Sequence, residues 1–207
     1  MNEEKEQRKL DGKLIDACYN NHPKIVKKLL KNGADVKVID EDDNSPLHIA
    51  CSHGHTKVVK LLLKNGADVN VKNKKGKTPL YPTCSEGHSK ITRLLLKKGA
   101  DANTVDKYGW TPLHIACLKG HVSHVGIVKL LLKNEAHMSE TNDSIETPLH
   151  FACSQGHTEI VKLLLKNGVD IHKKSKDGET ALKTAYKYGR TEIIKLLLKK
   201  TYQERSL

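Results

Sequence analysis

The chain has 207 residues, with 36 Lys and Arg against 24 Asp and Glu, for a formal net charge of +12. No run approaches 18 apolar residues, which excludes an apolar membrane-spanning helix, and the opening MNEEKEQRKL lacks the apolar stretch of a secretory signal. The positive balance points toward nucleic acid or an anionic membrane, but 32 of the 36 basic residues are Lys, whereas Arg is favoured for bidentate phosphate and guanine contacts.

In chain order, residues 1–9 are charged and are expected to fray or to extend the first helix. Residues 10–35 read LDGKLIDACYNNHPKIVKKLLKNGAD, a short helix, a turn at Asn20-Asn21, and a second helix. Asn tolerates the left-handed backbone that such a turn demands. Next comes SPLHIAC at 45–51, with Ser45 placed to cap a helix and Pro46 at its first position, where a missing N–H costs nothing. Gly54 ends this helix, and VVKLLLKNGAD (58–68) supplies a second helix that closes at Gly66. The same plan returns as TPLYPTC (78–84), TPLHIAC (111–117), TPLHFAC (147–153) and the weaker TALKTAY (180–186), each followed by a turn and a Leu-rich run. Pro82 falls in a first helical turn, where its damage is small.

The cysteines give the period. Cys18, Cys51, Cys84 and Cys117 are each 33 residues apart, and Cys153 follows after 36. The three extra residues lie within HVSHVG (121–126) and are expected to lengthen the turn between that unit's two helices. Glu135 then stands where other units have Gly, so the helix before it is expected to end differently. Ile145 occupies a place held by Gly76, Gly109 and Gly178 elsewhere. The stretch from Val122 to Ile145 is therefore expected to be locally weaker than the second unit.

A 33-residue period with T-P-L-H-x-A resembles the ankyrin repeat family, and the resemblance runs over nearly the whole chain. It implies an all-α fold, helix-turn-helix repeats joined by short β-hairpin loops, in an α-solenoid. The expected organisation is one domain over 1–207, with repeats at about 7–39, 40–72, 73–105, 106–141, 142–174 and 175–207. The first and last repeats would be polar caps. A monomer is expected, without a cofactor and without catalysis.

Chemistry-bearing motifs are sparse. The GKT at 76–78 lacks the Gly five residues earlier that a phosphate loop needs, since Val71 stands there. One Cys per repeat does not make a clustered zinc site. Neighbouring repeats place helices roughly 8–10 Å apart, too far for disulfides, so buried reduced thiols are expected. Five such Cys fit a reducing, intracellular and cytoplasmic setting, in which the sequon at Asn142 stays unused. His48, His114 and His150 follow Pro-Leu, while His22, His55, His88, His121 and His157 follow the turn. The resemblance implies that these are structural, bonding loops to neighbouring repeats. His53, His124, His137 and His172 fall outside the pattern.

Two surfaces remain as candidates for function. The hairpin tips differ from one another while the cores repeat: acidic at Glu41 and Asp42, basic at Lys74, Lys75 and Lys77, aromatic at Tyr108 and Trp110, acidic again at Asp143 and Glu146. Ankyrin repeat proteins bind partners with these tips and the exposed side of the first helix, which here includes His53, Leu118 and Lys119. The resemblance therefore implies binding of another protein, as adaptor, scaffold or inhibitor. Trp110 is expected to be exposed and to anchor the partner. The alternative is a ladder on the outer helices, with Lys27, Lys60, Arg93, Lys129, Lys162 and Lys195 in one row. Lys31, Lys64, Lys97, Lys133, Lys166 and Lys199 form a second row four residues on, suited to electrostatic binding of nucleic acid or anionic membrane.

Overall fold

The computed structural model describes residues 2–205. They form twelve helices: α1 (Asn2–Tyr19), α2 (Pro23–Lys31), α3 (Pro46–Ser52), α4 (Thr56–Lys64), α5 (Leu80–Ser85), α6 (Ser89–Lys97), α7 (Pro112–Lys119), α8 (Val122–Lys133), α9 (Pro148–Gln155), α10 (Thr158–Lys166), α11 (Ala181–Lys187) and α12 (Thr191–Arg205). The fold is all-α. Among the described residues the hairpin loops carry no strand, only an isolated antiparallel bridge between Lys174 and Thr180. The charged opening extends α1.

The chain divides into two compact units, Met1–Asp101 with α1 to α6 and Ala102–Leu207 with α7 to α12. In the first unit α3 packs against α1 and α5, while α4 packs against α2 and α6. In the second, α9 packs against α7 and α11, and α10 against α8 and α12. Each layer is a first helix paired with a second, so each buries its apolar stripe only against the layers beside it. Leu47, Leu62, Leu80 and Leu95 fill the first core, and Leu113, Leu131, Leu149 and Leu164 the second.

Local chemistry fixes the helix starts. The Ser45 and Thr111 hydroxyls accept from the backbone amides of His48 and His114, and Pro sits at the first helical position of both helices. The imidazole then does two jobs. The amides of Ser45, Thr111 and Thr147 donate to Nδ1 of His48, His114 and His150 at 3.1–3.2 Å. Nδ1 is thus an acceptor, so the proton is on Nε2, which donates to the carbonyls of Lys77, Glu146 and Glu179 at 2.9–3.1 Å in the next repeat. Burial pushes all three imidazoles toward the neutral form, His114 down to about 4.

A second set of rings ties the turns. Nε2 of His55, His88 and His157 reaches the carbonyls of Tyr19, Ser52 and Leu118, and Arg190 makes the equivalent contact to Ser154 with Nε and Nη2. Gly120 is required twice over at such a turn. Its φ is 56°, and a Cβ there would lie 1.8 Å from the His157 ring.

The loops are pinned by a polar side chain at their first position. Oδ1 of Asp40, Asn73, Asp106 and Asn142 each accepts from the amides two and four residues on. The loops also join within each unit, the Lys74 amide to the Asp42 carbonyl and the Asp143 amide to the Tyr108 carbonyl.

Three expectations need correction around α8. The extra residues do not lengthen a turn. They add a helical turn, making α8 twelve residues long where α4, α6 and α10 have nine. The histidine roles shift with it. His124 stands three residues before the buried Ile127, as His55 stands three before Val58, and it is buried, while His121 is exposed. The end of α8 is also unchanged. Glu135 adopts φ 60° and Asn134 caps the helix as Asn65 does in α4. Asn103 holds this loop by donating to the Glu135 carbonyl and accepting from the His137 amide.

All five cysteines are free and buried, as expected. Burial raises every thiol, Cys18, Cys84 and Cys153 to about 12. They are not nucleophiles at neutral pH.

Candidate partner-binding surface

Each unit presents a groove along its first helices. The groove of the first unit, about 460 Å³, is lined by Tyr19, Ile49, His53 and Tyr81 together with the acidic Asp16 and Glu86. α1 brings Tyr19, α3 brings Ile49 with His53 at its C-cap, and α5 brings Tyr81. The His53 ring meets Tyr19 edge-on at 4.7 Å and stacks on His55 at 5.4 Å. Nδ1 of His53 is 2.9 Å from the Ile49 carbonyl, which holds the ring over its own helix. Lys77 also lines this groove, its ammonium 4.1 Å from the centre of the Tyr81 ring.

The groove of the second unit, about 500 Å³, is lined by Leu118, Glu146, Phe151, Gln155, Lys187 and Tyr188 among others. Its charges are mixed. Glu179 pairs with Lys187 at 3.4 Å and Lys183 at 3.8 Å. Burial and the nearby Asp177 raise the Glu146 carboxyl above its usual value, against the pull of Lys187.

The residues singled out in the sequence divide between these surfaces. His53 and Lys77 line the first groove, and Leu118 and Glu146 the second. Glu41, Asp42, Lys74 and Lys75 are exposed loop residues outside the first groove, with the Lys74 ammonium against the Glu41 carbonyl. Tyr108, Lys119 and Asp143 are exposed outside the second.

Trp110 corrects an expectation. It is half-buried rather than exposed, with its ring 4.5 Å from Phe151 of the next repeat and 5.9 Å from His114. Tyr108, 59 % exposed, is the free aromatic of that loop. Trp110 joins the loop to the groove, because Phe151 belongs to both.

Sequence reasoning missed Tyr19, Asp16, Phe151 and Tyr188. Tyr19 directly follows Cys18, as Ser52 follows Cys51, so its register was available. The first repeat lacks the TPLH core that draws attention to it.

The family described as Ankyrin repeats (3 copies) matches this chain at residues 14–106, 62–142 and 122–205. The chain belongs to the ankyrin repeat family. No curated protein matches it. Ankyrin repeats are generally protein–protein interaction modules and are typically non-catalytic. Among the described residues no cluster of three or more His, Cys, Asp or Glu is placed to hold a metal, and no helix is long and apolar enough to cross a membrane.

Proposed function

We propose that this ankyrin repeat chain is an adaptor, scaffold or inhibitor that holds another protein on its loops and first-helix grooves, without catalysis. The observation that carries this reading is the arrangement in the second unit. Exposed Tyr108 stands on a loop that Trp110 braces against Phe151, and Phe151 opens onto the groove of Leu118 and Glu146. An exposed aromatic beside a groove that mixes aromatic and charged side chains offers the aromatic anchor and polar rim of an interface hot spot. Lys119 and Asp143 supply that rim. In the first unit, His53 and Lys77 in the groove and Glu41, Asp42, Lys74 and Lys75 on the loops supply polar contacts that orient the partner. Placement inside a cell is part of the same proposal, since five free thiols suit a reducing compartment.

The test is affinity capture followed by binding measurements on the captured protein. Tyr108→Ala is expected to weaken binding by about tenfold or more with little change in melting temperature. Trp110→Ala is expected to weaken binding and also to destabilise the fold by about 1–3 kcal/mol, because its ring packs on Phe151. Lys60→Ala combined with Lys129→Ala, on the outer helices, is expected to leave binding unchanged. Loss of binding in the lysine pair with none in Tyr108→Ala would reject the reading.

A further inference from the structure

Helices α2, α4 and α6 lie side by side in the first unit and carry ten exposed cations with no carboxylate on any of them. Nine of the ten form a three-by-three array. Lys24, Lys57 and Lys90 make one row, Lys27, Lys60 and Arg93 the next, and Lys31, Lys64 and Lys97 the third. Positions separated by three and four residues share one helix face. At about 1.5 Å rise per residue and 8–10 Å between helices, the array covers roughly 10 Å by 16–20 Å. Its spacings are within a Debye length of about 10 Å at 0.1 M salt, so the fields of the nine charges add.

Compositional bias toward Lys does not account for the array, because the second unit has the same repeat without it. There the first row reads Gly126, Glu159 and Glu192, and Glu159 pairs with Lys162 at 2.8 Å. Acidic residues in a first helical turn are what the helix dipole favours. Lys24, Lys57 and Lys90 occupy that turn with the disfavoured sign. The first unit therefore carries its cations against a small intrinsic cost, where the second replaces or neutralises them.

We propose that this face docks on the anionic surface of a lipid bilayer, independently of the groove that binds protein. The chemistry favours a bilayer over nucleic acid. Nine of the ten cations are Lys, point charges without the fork that grips a phosphate or guanine, and the three helices carry no aromatic on which a base could stack. A face three helices wide offers no single projecting element to enter a groove of DNA. Headgroups that diffuse laterally can gather under a fixed lattice of charges, and each Lys near such a surface adds to the attraction.

The test is co-sedimentation of the whole chain with phosphatidylcholine vesicles, with and without phosphatidylserine, at low and high salt. Binding is expected only to vesicles containing phosphatidylserine, and it should fall as salt rises. Combining Lys27→Glu, Lys60→Glu and Arg93→Glu should weaken it by about 100-fold or more. Combining Lys37→Glu, Lys74→Glu and Lys75→Glu changes net charge equally on loops outside the array and should retain most of the binding. If the glutamate set fails to fold, as judged by circular dichroism, the corresponding glutamine set takes its place. Equal loss in both triple variants, binding to pure phosphatidylcholine, no binding to either vesicle, or tighter binding to duplex DNA at the same salt would each overturn the proposal.

Discussion

Ile145 holds φ 56° with a β-branched side chain, a conformation its counterparts Gly76, Gly109 and Gly178 adopt freely. A left-handed backbone costs such a residue about 1–2 kcal/mol, and its side chain is 47 % exposed, so little burial offsets that cost. Ile145→Gly should therefore stabilise the protein by about 1 kcal/mol and raise its melting temperature by roughly 2–4 °C. An unchanged or lower temperature would show that the loop is not strained. Burial of the imidazoles makes a second prediction at this scale. His114 is held down to about 4 in the folded state, while an unfolded His titrates near 6.5. Below pH 6.5 the unfolded chain takes up a proton that the folded chain refuses until about pH 4. Stability is complete above pH 6.5 and falls through that window, by roughly 3 kcal/mol for this residue. His48 and His150 shift the same way. Urea denaturation at pH 7.5 and pH 5 should show this loss, and His114→Asn should reduce it. A pH-independent midpoint would contradict a buried His114 that stays neutral in the folded state.

At the scale of the element, the instructive case is α8. Ser or Thr before Pro marks the starts of α3, α5, α7 and α9, and Gly after the Leu-rich run marks the ends of α2, α4, α6 and α10, because each feature has one backbone consequence. Three inserted residues have two. They can widen a turn or add most of a helical turn, and nothing in HVSHVG decides between them. Counting forward from Gly120 assigns the structural ring to His121, but the buried register is set by Ile127 and Val128 and assigns it to His124. His124→Ala should accordingly cost about 1–3 kcal/mol, and His121→Ala less than about 0.5 kcal/mol. The reverse order in a denaturation series would restore the sequence assignment. The added turn begins with Val122, 93 % exposed, so its amides should exchange faster than the opening of α4. The candidate surfaces were legible where a residue keeps repeat register, as His53 and Leu118 do. They were not legible where the contact crosses repeats, as with Trp110 on Phe151, because no spacing reports which ring meets which.

For the molecule as a whole, a net charge of +12 is not evenly spread. The outer helices of the first unit are wholly basic, while both grooves mix aromatic, acidic and basic groups. This separates a surface suited to a general anionic field from surfaces suited to a specific partner. The proposed function places protein partners on the loops and grooves. Hydrogen exchange of the chain with and without its captured partner tests that placement. Exchange should slow across residues 106–119 and 142–155, with α8 and α10 unaffected beyond their first turns. Protection confined to the outer helices α8, α10 and α12, with residues 106–119 unchanged, would contradict it.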